Sequence, residues 1–339
     1  MDQHLTPAAL RKLRRALLAW YDEHRRELPW RRDADPYRVW VSEIMLQQTR
    51  VAAVVDHYAR FLEKFRTVQT LAAAREAAVL AVWSGLGYYH RARRMHRAAK
   101  LIARERKGIF PRTAEEWRQL PGIGRYTAAA IASIAFGEAV AVVDGNVERV
   151  LDRVFGTAEG REAAWRQAES LLDRERAGDF NQAMMELGAT VCTPRAPQCP
   201  MCPLHDWCAS RGTNSARPQA ARKRKQLIYG LARRNDSVLL VQRPGNASLM
   251  AGMWELPALP EAQHNGAEPM AKLRHAITDT DYEVSVFTAA PAKFHSSAVD
   301  ARWFARRQWE RLPLTGLARK ILRRLPPESG ATPSESKAP

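Results

Sequence analysis

The chain has 339 residues, 46% of them hydrophobic and 26% charged, enough for about two domains with packed cores. Its 53 Lys and Arg against 36 Asp and Glu leave a formal charge of +17, which points to a polyanionic partner. No run of about 20 apolar residues occurs, and MDQHLTPAAL does not read as a signal peptide. These features exclude a helical membrane span and favour nucleic acid, met in the cytoplasm, over an anionic membrane.

From its start to about Ser210 the chain reads as helices with short breaks, an all-α part. Asp35-Pro36 supplies an N-cap and a proline at the first helical position, opening a helix through about Gln48. Within it, Val39–Leu46 is nearly apolar around Glu43. Burial there would raise the Glu43 pKa and keep the group protonated, although periodicity alone favours a solvent-facing glutamate. Thr113-Ala-Glu-Glu116 is a capping box that starts another helix. Leu120-Pro-Gly-Ile-Gly-Arg-Tyr-Thr127 lies between two helices. Its Gly122 and Gly124 permit a tight turn whose N–H groups, with the following helix N-terminus, can face a phosphate. Read alone, the same turn is equally a plain helix connector. Asp144 follows an apolar run and precedes a helix start, where it reads as an N-cap worth ~1 kcal/mol.

All four cysteines fall in one stretch, spaced Cys192-x6-Cys199-x2-Cys202-x5-Cys208. Clustered thiols without an export signal point to a metal centre rather than disulfides. A single compact loop, with prolines at 194, 197, 200 and 203, suits an iron–sulfur cluster better than zinc. Arg195 inside the loop reads equally as a phosphate contact or a solvated arginine. Residues 211–225 are polar and basic and read as a linker. Beyond them, Leu227–Ala232 and Val238–Gln242 flank a hairpin turn, Tyr282–Ala289 alternates as a strand, and Gly316–Leu325 reads as helical. Residues 226–325 thus form a smaller α+β domain, and 326–339 read as a disordered tail.

LPGIGRYTAAAIAS, VVDGNVERV and the four-cysteine loop together resemble the helix-hairpin-helix glycosylase superfamily that includes endonuclease III and MutY. LPWR (28–31), VWVSEIMLQQTRV (39–51), WSGLGYYHRARR (83–94) and FNQAMMELGATVCTP (180–194) resemble the MutY family of adenine glycosylases within it. The resemblance is close over about residues 15–210 and looser beyond. It implies a multidomain protein: a two-lobed, all-α helix-hairpin-helix glycosylase domain (1–210) with a [4Fe–4S] loop (192–208), then a smaller α+β Nudix-like domain. The implied activity is removal of adenine opposite 8-oxoguanine or guanine in double-stranded DNA, in base excision repair; with no extra interface evident in the sequence, a monomer is expected.

Adenine leaves deoxyribose poorly unless a ring nitrogen is protonated, and its departure leaves oxocarbenium character on the sugar. Such chemistry needs a protonated acid near the base and an ionised carboxylate near the sugar. The resemblance gives these roles to Glu43 and Asp144, with Tyr126 and Asn146 orienting Asp144. Tyr126 also stands where endonuclease III-like enzymes carry a Schiff-base lysine, implying a glycosylase that does not cut the strand. The target base must be flipped out and its gap filled. Gln47, Gln48, Leu86 and Tyr88 are implied to probe or wedge the duplex, with Gly122 and Gly124 gripping phosphate. Leu86 reads more simply as packing in a glycine-framed turn. Trp30, Arg31, Leu46 and Glu186 are implied to form the adenine pocket, Glu186 accepting from the exocyclic amine.

In the C-terminal part, AGMWELP (251–257), Trp303-Phe304 and LPLTGLARK (312–320) resemble the Nudix-like domain of the same family. No REx2Ex2-type carboxylate helix follows Trp254, which argues against nucleotide hydrolysis. Where the family commonly reads the lesion with Phe-Ser-His, this chain has Ile277-Thr278-Asp279. Ile277 retains the means to wedge and Thr278 to donate, whereas Asp279 brings a negative charge towards DNA. The triplet also reads as an ordinary loop before a strand. Two rival functions stay open: an endonuclease III-like glycosylase and lyase for oxidised pyrimidines, and a non-catalytic iron–sulfur DNA-binding protein. Tyr126, the Glu43 motif and the C-terminal domain count against the first.

Overall fold

An apolar helix carries the centre of the fold. In the computed structural model, α2 (Pro36–Leu46) follows α1 (Pro7–His24) and buries every residue from Tyr37 to Met45 except Arg38. Asp35 starts it as read from sequence, its side chain accepting from the Arg38 N–H at 2.9 Å. With Arg38 its one exposed residue over that span, the helix has almost no polar face, and Glu43 is its one carboxylate. Trp40 of α2 packs on Trp117 and Phe110, with ring centroids 5.8 and 6.4 Å away.

Residues 5–156, 159–211, 222–247, 249–260, 267–277, 279–291 and 300–325 are described. Thr278, most of the expected linker (212–221), the expected tail (326–339) and the Ile277 side chain lie outside them. The chain divides into two units, residues 1–74 with 91–219, and residues 75–90 with 220–339. Among the described residues, no helix is long and apolar enough to cross a membrane.

The first unit is helical. Beyond α2 come α3 (Val51–Lys64) and α4 (Val68–Ala73). After α5 (Glu76–Trp83), which belongs to the second unit, it resumes with α6 (His90–Glu105), α7 (Ala114–Arg118) and α8 (Arg125–Phe136). It ends with α9 (Gly145–Phe155), α10 (Arg161–Leu171), α11 (Ala177–Thr190) and the cysteine loop. The capping box at Thr113 forms as expected, Thr113 and Glu116 each accepting the other's backbone N–H at 3.3 Å. On α9, Val147, Val150, Leu151 and Val154 fall on one stripe and are buried with Phe180, Met184 and Leu187 of α11. The alanines of α8 let α11 approach its backbone: a Cβ on Gly178 would stand 2.6 Å from the Ser133 carbonyl oxygen.

The second unit contains two small sheets and α12 (Gly316–Leu322). In the first, β1 (Lys223–Leu231) runs parallel to β6 (Thr280–Thr288), which pairs antiparallel with β5 (Ala271–Ile277). In the second, β3 (Ser237–Gln242) pairs antiparallel with β2 (Arg233–Arg234), β4 (Trp254–Glu255) and β7 (Ala301–Ala305). The expected hairpin forms only at its tip, where Asn235 adopts φ +53°. β1 instead takes β6 as its partner across the chain.

Residues 75–90, read from sequence as part of the helical domain, group with 220–339. Two buried hydroxyls explain it: Ser84 Oγ and Tyr89 OH both donate to the Leu314 carbonyl, at 2.6 and 3.2 Å. Between them the chain turns through Gly85 (φ +110°), Gly87 (φ +71°) and Tyr88 (φ +45°). A left-handed tyrosine costs ~1–3 kcal/mol and persists only where its surroundings fix it.

Close packing between α9 and α11 gives a direct test. A Cβ on Gly188 would stand 2.6 Å from Asn146 Cβ and 3.0 Å from the Asn146 carbonyl oxygen. Gly188→Ala is therefore expected to cost ~1–3 kcal/mol in urea unfolding. An unchanged midpoint would contradict this packing.

Candidate active site and cysteine loop

Two carboxylates occupy unlike environments. Glu43, 6% exposed, is wrapped by the apolar residues of α2, and Tyr126 OH donates to its Oε2 at 3.0 Å. Burial is the main cause that pushes its pKa up to about 7. The Asp144 charge pushes the same way, while the Tyr126 hydrogen bond and Arg31 oppose it. Asp144 is half-buried and caps α9. Its Oδ1 accepts the N–H groups of Asn146 (2.9 Å) and Val147 (2.7 Å), and its Oδ2 accepts Asn146 Nδ2 (3.1 Å). The two groups are close enough for one charge to shift the other's titration. This places an acid held near neutrality beside a carboxylate framed by a helix N-terminus.

Asn146 orients Asp144 as expected; Tyr126 does not. Its hydroxyl proton goes to Glu43, and Met185 Sδ lies 3.3 Å from the same oxygen. Burial, then the Glu43 and Asp144 charges, hold the phenol well above its ordinary pKa, so it remains a donor. The donors on Asp144 come from the first turn of α9.

Glu186 also departs from expectation. Its side chain is 1% exposed, and Arg26 engages it through Nε (2.6 Å), Nη2 (2.9 Å) and the backbone N–H (3.2 Å). Arg31 Nη2 adds a fourth donor at 2.9 Å. Burial acts to raise this carboxyl, but the two guanidiniums outweigh it and hold the pKa below its usual value. With both oxygens engaged, Glu186 anchors Arg31 instead of offering a free acceptor to a base amine. Trp30 is buried edge-on to Tyr58 at 5.4 Å, and Leu46 is half-buried at the end of α2.

Past Leu46, Gln47 donates to Thr127 Oγ1 at 3.0 Å, and the exposed Gln48 adopts φ +54°. What fixes this turn is Arg91, a residue the sequence reading did not single out. Its guanidinium, in a side chain only 4% exposed, donates to the carbonyls of Ile44 (2.9 Å), Met45 (2.9 Å) and Gln47 and to Thr49 Oγ1 (3.1 Å). It thus satisfies the carbonyls left open at the end of α2. A signal was available: Met95, Ala98 and Ile102 mark the buried stripe of α6, and Arg91 lies one turn before Met95 on it.

The hairpin joins α7 to α8 through Gly122 (φ +83°) and Gly124, the N-cap of α8. Gly122 is required by conformation and by space, since a Cβ there would meet Arg94 Cβ at 2.6 Å. In the second unit Leu86 is buried while Tyr88 is half-buried. Ile277 and Asp279 fall at the tight turn joining β5 to β6. Asp279 is paired with Lys223 Nζ at 3.3 Å and accepts from Thr280 Oγ1 at 3.0 Å.

Cys192, Cys199, Cys202 and Cys208 are free thiols that line one cavity together with Arg153. Arg195 is exposed. Burial and the neighbouring cysteines push the Cys202 thiol up to about 11, with the Leu204 backbone opposing. Two arginines one turn apart on α9 reach this loop. Arg153 Nη1 donates to Cys192 Sγ at 3.2 Å. Arg149 Nε donates to the Cys192 carbonyl at 2.9 Å, and its Nη2 to Asn146 Oδ1, also at 2.9 Å. A continuous path of hydrogen bonds therefore runs from Cys192 through Arg149 and Asn146 to Asp144.

A raised carboxyl pKa means the folded state binds the proton more tightly than the unfolded chain. Stability is then lost as pH rises from the usual 4.5 through about 7. At pH 8 this corresponds to about 3 kcal/mol. Glu43→Gln is expected to outlast the natural chain in urea at pH 8, by an advantage that shrinks towards pH 5. A pH-independent difference would contradict the buried, raised carboxyl.

Comparison with known proteins places the fold. A family model described as HhH-GPD superfamily base excision DNA repair protein matches residues 41–174. The adenine DNA glycosylase of Rattus norvegicus is 41% identical over 329 residues, covering 77% of this chain and 64% of that protein. The Homo sapiens enzyme is 40% identical, covering 74% and 58%, and the Mus musculus enzyme 36% identical, covering 91% and 76%. The chain thus spans less than two thirds of the rat and human proteins. Among solved structures, a thermostable thymine-DNA glycosylase matches with TM-score 0.58 and 29% identity, over 62% of this chain and 100% of that one. A non-covalent endonuclease III–DNA complex matches with TM-score 0.54 and 26% identity, over 62% and 98%. The chain belongs to the HhH-GPD superfamily of base excision DNA repair proteins, within its family of adenine DNA glycosylases.

Proposed function

We propose that this chain is a monofunctional adenine DNA glycosylase, acting as a monomer on adenine opposite 8-oxoguanine or guanine in duplex DNA. The observation that carries the reading is the pairing of buried Glu43, bonded by Tyr126, with half-buried Asp144, the N-cap of α9. With a pKa near neutrality, Glu43 is suited to protonate a ring nitrogen of the flipped adenine, making the base a better leaving group. Asp144 supplies the negative charge that stabilises the oxocarbenium character left on the sugar before water attacks. Tyr126 sits where a Schiff-base lysine would be needed for strand cleavage, and its phenol is committed to Glu43.

Gln47, Gln48 and Tyr88 probe or wedge the duplex in this reading, and the turn at Gly122 and Gly124 grips phosphate. Leu86, being buried, contributes packing. Trp30, Arg31 and Leu46 line the pocket for the base. Residues 1–210 act as the catalytic domain, and 226–325 as a Nudix-like domain that reads the opposite base through 277–279. The Asp279–Lys223 pair supports that last role by offsetting the charge of Asp279.

The test is single-turnover excision from duplexes carrying adenine opposite 8-oxoguanine, guanine or thymine, each product run with and without alkali. Strand breaks that need alkali, fastest opposite 8-oxoguanine, are expected, with Glu43→Gln slowed by ~10²–10⁴-fold. Efficient trapping by borohydride would point instead to an endonuclease III-like lyase.

The four cysteines are proposed to hold a [4Fe–4S] cluster. They line one cavity together with Arg153. Four thiols around one cavity supply the four ligands that such a cluster takes, and Arg153 and Arg149 offset its thiolate charge. When bound, the cluster supplies a fixed crosslink for residues 192–208. Cys199→Ser is expected to lose bound iron and visible absorbance and to melt earlier. Retention of full iron content would exclude Cys199 as a ligand.

A further inference from the structure

The turn Trp83–Tyr89 is held by a frame that comes from the C-terminal part of the second unit. Trp83 Nε1 donates to the Gly87 carbonyl at 3.0 Å, closing the turn on itself. Tyr89 OH accepts the Gly85 N–H at 3.4 Å and donates to the Leu314 carbonyl. Ser84 Oγ, buried, donates to the same carbonyl at 2.6 Å and accepts Arg319 Nε at 2.9 Å. Leu314 is itself fixed, because Pro313 and Thr315 bond the Trp254 backbone at 2.9 Å on either side. Thr315 then caps α12, the helix that carries Arg319.

Three features show that this frame acts on Tyr88 beyond general packing. Gly85, Gly87 and Tyr88 all have positive φ, and only the first two are residues that tolerate it easily. Tyr88 remains half-buried, as does Arg319, while Trp83, Ser84, Tyr89 and Leu314 between them are buried. The Ser84 hydroxyl gives its one proton to Leu314 and accepts Arg319 Nε, so the guanidinium and the Leu314 carbonyl together fix its orientation. A lysine would not match the guanidinium Nε at this site.

We infer that Arg319 of α12, acting through Ser84 and the Leu314 carbonyl, is a positioning residue that holds the Gly85–Tyr88 turn in the form that inserts into DNA. The inference rests on the adenine glycosylase reading, in which Tyr88 wedges the duplex. It makes separation of the strands depend on a helix more than 200 residues away in sequence.

The full chain, purified with its cluster, is assayed in single turnover on two duplexes. One carries adenine opposite 8-oxoguanine; the other carries adenine opposite an abasic site, where no opposing base has to be displaced. Arg319→Met keeps the apolar stem and removes the donors. It is expected to slow excision about tenfold on the paired substrate, the rate equivalent of one lost hydrogen bond, and about twofold or less on the other. Tyr88→Ala should show the same pattern, and the double variant should be no slower than Tyr88→Ala alone. If Arg319→Met fails to fold, Ser84→Ala, which removes the shared hydroxyl, is expected to give the same selectivity. Equal slowing on both substrates would reduce Arg319 to a merely structural part, and no slowing would also overturn the inference. An unmutated chain that excises adenine from neither duplex would overturn the enzymatic reading itself, a separate outcome.

Discussion

A glutamic acid buried in an apolar helix is the constraint around which the catalytic unit is organised. From Tyr37 to Met45 α2 exposes only Arg38 and leaves Glu43 6% exposed, so the fold has to supply its partners. It supplies one hydroxyl, from Tyr126 on α8, and one distant cation, Arg31. More donors would favour the charged carboxylate and draw its pKa back down; fewer would leave it unoriented. The helix hairpin is thereby tied to the chemistry, because the turn at Gly122 and Gly124 sets where α8 begins and hence where Tyr126 stands.

α9 performs a second organising task. Its first turn frames Asp144, and its next two turns send Arg149 and Arg153 to the cysteine loop. Since Gly188 leaves no room between α9 and α11, Asn146 is held from both sides. A loop that would otherwise be a peripheral appendage is joined to the Asp144 carboxylate by named hydrogen bonds.

Features encoded locally were legible in the sequence. The N-caps at Asp35 and Asp144, the capping box at Thr113 and the glycine turn depend on neighbours within four residues, and each formed as read. The cysteine spacing was equally local. Features set by partners far along the chain were not legible. Tyr126 meets Glu43 across 83 residues, Glu186 meets Arg26 across 160, and Ser84 meets Leu314 across 230. No propensity or period encodes such pairings, so Tyr126 was given the wrong carboxylate, Glu186 the wrong task and residues 75–90 the wrong unit. The β1–β6 pairing escaped for the same reason: alternation marks a strand without naming its neighbour.

The cap at the start of α9 separates two pressures on one position. Asparagine or serine at 144 would begin that helix about as well as aspartate, because capping needs a short oxygen acceptor and no charge. Folding alone is therefore nearly indifferent among the three. In the proposed mechanism the charge at 144 serves the chemistry alone, and the architecture would survive its loss.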